Sequence, residues 1–156
     1  MTEQGVSILP LAECHLPQVA ELERLCFSEP WSQESLRLLL ADGGFSVVAV
    51  EEGRVLAYGG MTYVLDEGSV TNIAVRPECR RQGLGRRVTE GLLCGAKARG
   101  VRSVFLEVRE SNLPAVALYR SEGFVPCGMR KNFYRHPVES AILMVWNGDE
   151  TEENKL

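Results

Sequence analysis

The chain of 156 residues is 45% hydrophobic, which suits one domain with a core of its own. Its 21 acidic residues outnumber its 17 basic ones, and the formal net charge of -4 argues against general binding to nucleic-acid phosphates. The sequence shows no apolar run of the ~20 residues that cross a bilayer, no secretory leader and no C-x-x-C pair among its five cysteines. We therefore expect a cytoplasmic protein with reduced thiols and without a membrane, nucleic-acid or metal site.

The N-terminal part predicts a short strand followed by two helices. Residues 6–9 have strand character, and apolar residues at helical spacing predict a first helix over residues 16–27. Ser32 is a good N-cap for a second helix, which the pair Gly43-Gly44 would end.

Residues 45–75 predict an antiparallel meander. Three runs rich in Val, Tyr and Thr are separated by Glu52-Gly53 and Glu67-Gly68, which are typical turn pairs.

The C-terminal part alternates helices and strands. We expect a helix, a buried strand, a second helix and two closing strands at residues 85–99, 103–108, 112–123, 124–134 and 140–146. The order βααβββαβαββ is that of an α/β domain with both parallel and antiparallel strand pairs. The domain would span residues 1–147, and residues 148–156 form a polar, acidic segment that we expect to be disordered.

The segment RPECRRQGLGRRV, residues 76–88, predicts an anion site. It follows a strand and leads into a helix, whose first backbone N–H groups and positive dipole end favour a bound anion. Gly83 and Gly85 would let the backbone approach a diphosphate, and Arg80, Arg81, Arg86 and Arg87 could add charge-assisted contacts. The segment is neither a Walker loop nor a dinucleotide-binding motif. The alternative is a glycine turn before a solvated basic helix.

Of the arginines in this segment, Arg81 and Arg86 flank the glycines and are the two that we expect to contact the diphosphate. Arg76 and Arg87 are assigned to solvated surface.

A carboxylate lies in the middle of the apolar strand SVFLEV. Glu107 would share a face with Phe105, opposite the apolar face of the strand, and desolvation there would strengthen it as a proton acceptor. The alternative is a salt bridge to Arg109 or Arg130. Sequence reasoning alone leaves the two open.

Two residues of the following helix have structural and chemical interpretations that can both hold. Asn112 is a good N-cap, ahead of Pro114 in the first turn. Tyr119 fits the core stripe of the helix, but a phenol that is protonated at pH 7 can also donate a proton.

Four segments together resemble one family. They are CFSEPWS, NIAVRPECRRQGLGR, LEVRESNLPAVALYRSEGF and RKNFY, and they run from Cys26 to Tyr134. In order and spacing they are similar to the GNAT N-acetyltransferases, and within these to the RimI type, bacterial enzymes that acetylate the N-terminal alanine of a ribosomal protein. The resemblance implies the GNAT fold: a mixed sheet of six to seven strands, flanked by about four helices and splayed at the cofactor site.

The resemblance also implies a site. Acetyl-CoA would be bound by the strand, loop and helix cap at Ile73, Ala74, Val75, Arg81, Gln82, Gly83, Leu84, Gly85, Arg86 and Asn112. Glu107 would be the general base and Tyr119 the general acid that protonates the departing thiolate. Phe27, Trp31 and Tyr134 would contact the acceptor, although Phe27 and Trp31 can instead be a hydrophobic staple for the helix that begins after Ser32.

Two positions depart from the family pattern. Phe133 stands where the family commonly has Tyr, and Ser140 stands where it usually has Asp. Both leave the acceptor contacts of the last hairpin open.

The implied activity is transfer of the acetyl group of acetyl-CoA to the N-terminal α-amine of a protein, by direct attack in a ternary complex. An α-amine of pKa about 8 is easier to deprotonate than a lysine amine at about 10.4, which favours an N-terminal acceptor. The alternatives are another N-terminus, a lysine or small-molecule amine, a route through Cys79 or Cys127, and a non-catalytic acetyl-CoA-binding module.

Overall fold

The computed structural model describes residues 5–148, which form one seven-stranded sheet in the order β1-β2-β3-β4-β5-β7-β6. The strands are β1 Ser7–Pro10, β2 Gly44–Glu51, β3 Arg54–Val64, β4 Glu67–Val75, β5 Ser103–Arg109, β6 Val125–Tyr134 and β7 Glu139–Asn147. The helices are α1 Leu16–Cys26, α2 Gln33–Leu36, α3 Leu84–Ala98 and α4 Leu113–Ser121. The expected mixed sheet with four helices is confirmed.

Two apolar clusters cover the two faces of the sheet. On β2, Val47 and Ala49 join the cluster that contains α3, whereas Val48 joins the cluster that contains α1 and α2. This follows from the period of two along a strand, because alternate residues point to opposite faces.

The sheet opens between β4 and β5. These neighbours are the parallel pair of the sheet, and their register covers only Glu67 to Ser69 against Ser103 to Phe105. Beyond Ser69, β4 continues to Val75 while paired with β3 on its other side. One edge of the second half of β4 is therefore turned towards the gap, as the resemblance implied.

The second helix is shorter than predicted. Ser32 caps α2 as expected, and its Oγ accepts a hydrogen bond from Ser35 N at 3.1 Å, but α2 passes into a 3-10 turn at Arg37–Leu40. The buried residues Leu36 and Leu39 are three apart, which matches the three-residue period of a 3-10 helix. The apolar spacing thus selects the tighter turn.

The second hairpin turn also differs from the prediction. Glu67 and Gly68 belong to β4, and the turn lies at Leu65 and Asp66, with Leu65 at a φ of 55°. The predicted turn residues are paired on both edges of β4, because Glu67 pairs with Val64 of β3 on one side and with Ser103 of β5 on the other.

The expected acidic segment lies outside the described residues except for Gly148. Among residues 5–148, no helix is long and apolar enough to cross a bilayer.

Candidate active site

The predicted anion loop has the backbone geometry of a helix N-terminus. Gly83 is the N-cap of α3 with a φ of 79°, a left-handed conformation that glycine adopts without strain. The first helical hydrogen bond runs from Arg87 N to Gly83 O at 3.1 Å, so the N–H groups of Leu84, Gly85 and Arg86 precede the helical ladder. These groups have no partner within the helix, as the predicted anion site requires.

Gly85 allows a second close approach. A Cβ at this position would lie 3.2 Å from Leu118 Cδ2 and 3.8 Å from Val75 Cγ2. The glycine therefore lets the start of α3 pack against both α4 and β4.

A groove of about 730 Å³ lies over the gap between β4 and β5. It is lined by backbone and side chains from β4, the loop, α3 and α4, and by the end of α1. Of the ten residues predicted to bind acetyl-CoA, nine line this groove: Ile73, Ala74, Val75, Arg81, Gly83, Leu84, Gly85, Arg86 and Asn112. Gln82 is exposed, and within residues 5–148 it is the one of the ten outside the lining.

Two arginines of the groove, Arg80 and Arg86, have partners in the protein. Arg86 forms an ion pair of 2.5 Å with Glu122, and burial together with the neighbouring Glu90 raises the pKa of Glu122. Arg80, which the sequence offered as a further charge beside Arg81 and Arg86, also lines the groove and lies 3.6 Å from Cys26 Sγ.

The sulfur of Cys26, at the end of α1, is bound to the backbone of β4 beside the gap. Cys26 donates a hydrogen bond to Val75 O at 3.4 Å and lines the groove beside Phe27. The end of α1 is thus held against the open edge of β4.

The two predicted catalytic residues both neighbour Tyr134, and of the two only Tyr119 lines the groove. Tyr119 lines the groove and is 9% exposed; burial, and then the neighbouring Tyr134, raise its pKa to about 12. Burial, and then the negative charge of Glu107, raise the pKa of Tyr134 to about 12. Tyr134 therefore lies within electrostatic reach of both Tyr119 and Glu107.

Glu107 has the predicted orientation on β5. Val104, Leu106 and Val108 are buried on the α3 side, whereas Phe105 and Glu107 are half-buried on the opposite face. Within residues 5–148 the carboxylate forms no ion pair, because Arg109 binds Glu139 instead.

A fully buried carboxylate holds the predicted acceptor loop, and sequence reasoning missed it. Glu23 is 0% exposed, accepts a hydrogen bond from Trp31 N at 2.9 Å, and also binds Tyr58 Oη and Asn72 Nδ2. Burial, and then the charge of Glu23, raise the pKa of Tyr58. The available signal was a charged residue on the apolar stripe of the first helix.

The two aromatic residues of the loop pack against the same apolar cluster. Phe27 and Trp31 both lie against the cluster that contains α1 and α2, and Phe27 also lines the groove. The packing of Trp31, directly before the N-cap Ser32, fits the hydrophobic staple.

The assignment of Arg76 and Arg87 to solvated surface is wrong. Arg76 is 5% exposed and donates to Val55 O at 2.7 Å and to Glu21 Oε1 at 2.6 Å. Arg87 is half-buried and donates to Val6 O at 3.1 Å. Arg76 follows β4 directly and is drawn into the sheet by the bond from its N–H to Leu56 O, so its charge has to be paired.

The last hairpin carries the two departures from the family pattern. The ring of Phe133 lies edge-on to that of Tyr134 at 5.1 Å, and Ser140 Oγ accepts a hydrogen bond from Asn132 N at 3.4 Å. Among residues 5–148, no group of three or more His, Cys, Asp or Glu side chains is placed to hold a metal ion.

Comparison with known proteins identifies the class. Residues 16–124 match the model of the acetyltransferase (GNAT) family, and the chain belongs to that family. The resemblance seen in the sequence is confirmed, and the chain is an N-acetyltransferase by class.

Within the family, the chain is similar to the RimI type. It is 36% identical to the ribosomal protein bS18-alanine N-acetyltransferase of Escherichia coli K12 over 140 residues, which cover 88% of this chain and 95% of that protein. The crystal structure of the ribosomal-protein-S18-alanine N-acetyltransferase from Escherichia coli superimposes with a TM-score of 0.85 at 34% identity, covering 92% of this chain and 94% of that one.

A more distant structure shares the fold. It is a GNAT family acetyltransferase from Elizabethkingia anophelis with acetyl-CoA bound, with a TM-score of 0.76 at 20% identity, covering 93% of this chain and 99% of that one.

Proposed function

We propose that this protein transfers the acetyl group of acetyl-CoA to the N-terminal α-amine of a protein, and that its acceptor is the N-terminal alanine of ribosomal protein S18. The observation that carries the proposal is the gap between β4 and β5, with a groove along β4 that Tyr119 lines and with Tyr134 near both Tyr119 and Glu107. The relatives named above act on that alanine, which supports the acceptor.

The groove fits acetyl-CoA as the acetyl donor. The N–H groups at the start of α3 and the guanidiniums of Arg80 and Arg81 would bind the diphosphate. The open edge of β4 at Ile73 to Val75 would hydrogen-bond the pantetheine arm as an added strand does. Asn112, at the cap of α4, would contact the same arm.

The ion pair between Arg86 and Glu122 leaves two routes for Arg86. It can contact phosphate while it stays bound to Glu122, or it can exchange one partner for the other.

Glu107 would act as the general base of the reaction, and Tyr119 would act as its general acid. Glu107, directly or through water, accepts a proton from the acceptor ammonium, and the freed amine forms a bond to the thioester carbon. A backbone N–H of Ile73 to Val75 would stabilise the negative charge that develops on the thioester oxygen. The bond to sulfur then breaks, Tyr119 donates its proton to the thiolate, and the attacking nitrogen loses its second proton to water, which leaves the neutral amide while solvent reprotonates Tyr119.

A route through an acyl-cysteine has less support. Cys79 is buried under the groove and Cys127 is exposed on β6, and among the described residues neither has a histidine as a hydrogen-bond partner. A non-catalytic module would have no use for the gathered set of Glu107, Tyr119 and Tyr134.

The proposal extends to organisation and place in the cell. We assign residues 1–147 to one catalytic domain that acts on protein N-termini in the cytoplasm, with Phe27 and Trp31 on the acceptor side. Binding to nucleic acid or membrane and a resident metal have no part in it.

A peptide panel tests the acceptor. The purified protein is incubated with acetyl-CoA and three peptides: one that begins with alanine in the sequence of S18, the same peptide with a blocked N-terminus, and an N-terminally blocked lysine peptide. Fragmentation mass spectrometry should place the acetyl group on the free N-terminal amine alone. Acetylation at lysine side chains only would contradict the proposal and leave family membership intact.

A further inference from the structure

The guanidinium of Arg109 is surrounded by contacts at the open end of β5. Its Nη1 donates to Pro137 O at 3.0 Å and to Glu139 Oε1 at 3.2 Å, and its Nη2 donates to Arg135 O at 3.1 Å. Its Cζ lies 4.4 Å from the centre of the Tyr134 ring. One side chain thus binds both sides of the β6–β7 turn and covers the aromatic residue at its start.

The same contacts reach the loop that precedes α4. Glu139 holds Arg109 with one carboxylate oxygen and accepts a hydrogen bond from Ser111 N at 2.7 Å with the other. Ser111 is followed by the N-cap Asn112. The end of β5, the start of α4 and the last hairpin are therefore joined through a single charged pair.

The strand ladder does not fix Tyr134 by itself. Arg130 pairs with Ala141 and Tyr134 with Glu139, so the register between β6 and β7 shifts between these two pairs. Asn132, inside the irregular stretch, has a φ of 53°. Because regular pairing is interrupted where the aromatic pair begins, the position of Tyr134 depends on contacts from outside the hairpin.

Arg109 supplies those contacts from a rigid element. It lies on the same face of β5 as Glu107, and all seven residues of β5 pair with β7. A planar guanidinium that donates to two carbonyl oxygens and lies over a ring holds a fixed geometry, which a lysine ammonium cannot reproduce.

We propose that Arg109 is a positioning residue for the acceptor: it holds Tyr134 and the β6–β7 turn at the place where Tyr134 contacts the acceptor beside Glu107. The inference rests on the proposed function, in which Tyr134 belongs to the acceptor site. Arg109 acts through Tyr134 and does not contact the groove that binds acetyl-CoA.

A double-mutant cycle separates this role from a general structural one. The variants are Arg109→Met, Tyr134→Ala and the two combined, and each is assayed for acceptor KM and kcat with the alanine peptide and for acetyl-CoA Kd by calorimetry. Arg109→Met should raise the acceptor KM about tenfold, which corresponds to the loss of one good contact. Its acetyl-CoA Kd should stay within about twofold of the parent. In the Tyr134→Ala background, the same substitution should change KM less than about twofold, because the residue it positions is already gone.

Arg130 provides a matched control in the same hairpin. Its Cζ lies 5.7 Å from the centre of the Phe133 ring, so it is also an arginine over an aromatic residue. Arg130→Met should leave the acceptor KM within about twofold of the parent.

Three results would overturn the inference. The first is an unchanged acceptor KM in Arg109→Met. The second is a rise in its acetyl-CoA Kd as large as the rise in its acceptor KM. The third is an acceptor KM in the double variant that has risen by the product of the two single effects. If Arg109→Met does not fold, Arg109→Lys keeps the stem and charge, and its acceptor KM should rise about threefold or more in the parent background only.

A spectroscopic signal keeps this test independent of the acceptor. In protein with ring-labelled tyrosine, the resonance that Tyr134→Phe removes should shift in Arg109→Met and stay in place in Arg130→Met. An unshifted resonance would overturn the positioning role, whichever amine the protein acetylates. If the alanine peptide is not acetylated but the Tyr134 resonance shifts in Arg109→Met, only the acceptor proposed above is overturned.

Discussion

The two sides of the gap between β4 and β5 differ in composition: one consists mainly of backbone groups, and the other consists of side chains from separate elements. On the donor side, the groove is formed by the backbone of β4, a glycine loop and the start of α3, which are close together in the chain. On the acceptor side, Glu107, Tyr119 and Tyr134 come from β5, α4 and β6, and a bound guanidinium keeps the last of them in place.

This difference predicts which substitutions should alter acetyl-CoA binding and which should alter turnover. Backbone N–H groups are common to all residue types, so the donor side tolerates exchange of side chains but depends on conformation at its glycines. Proton transfer needs particular side chains, so the acceptor side depends on their chemistry. Donor-side changes should therefore alter acetyl-CoA binding, and acceptor-side changes should alter turnover.

The largest expected effect is that of Glu107→Gln. The amide keeps the size of the carboxylate but cannot accept the ammonium proton, so kcat should fall about 10³-fold, within the range for a positioned general base. Acetyl-CoA Kd, measured by calorimetry, should not change. Glu110→Gln, an exposed carboxylate just beyond the same strand, is the control and should keep full activity. A parent-like kcat for Glu107→Gln would end its assignment as the base.

A smaller loss is expected for Tyr119→Phe, about 10²-fold in kcat with little change in acetyl-CoA Kd. A general acid works in its protonated form, and a pKa raised to about 12 keeps Tyr119 protonated at pH values where an ordinary tyrosine would ionise. The pH–rate profile of the parent should thus show no alkaline loss from Tyr119 up to about pH 10, and the Phe variant should be lowered by the same factor throughout. An alkaline limb that disappears in Tyr119→Phe would contradict this.

The smallest effect is expected on the donor side, for Gly83→Leu. Gly83 and Gly53 both have a φ of 79° and open space where a Cβ would point, so the same substitution strains the backbone equally at both. Gly83→Leu should weaken acetyl-CoA binding about tenfold in calorimetry, whereas Gly53→Leu should lose similar thermal stability with unchanged Kd. Equal Kd values in the two variants would show that the loop does not bind the donor.

Local patterns predicted most of the fold. The helices α1, α3 and α4 and the strands of the sheet follow from apolar spacing, and the starts of α2 and α4 follow from the caps Ser32 and Asn112, since these depend on neighbours in the chain. The errors fall where a tertiary contact decides between close alternatives. The end of α2 winds into a 3-10 turn because Leu36 and Leu39 share one buried face, and Glu67 and Gly68 stay in β4 because β5 pairs with them.

Charged residues were the hardest to interpret. Arg76 looked like part of a solvated cluster, and Glu23 looked like one more residue on the stripe of the first helix. The structure buries both, because carbonyl, hydroxyl and amide groups from distant strands converge on them and satisfy their charges.

Sequence reasoning was sufficient for the strand, the glycine loop and the helix N-terminus that we propose bind the donor, because these segments are contiguous and their geometry follows from local backbone preferences. It also pointed to Glu107 and Tyr119 through the resemblance to the family. The structure was needed to show how far β4 and β5 separate. It was also needed to show that Tyr134 lies within electrostatic reach of both catalytic candidates and that Arg109 binds the turn beside Tyr134. Each of these depends on the packing of segments far apart in the chain, and no local preference encodes that packing.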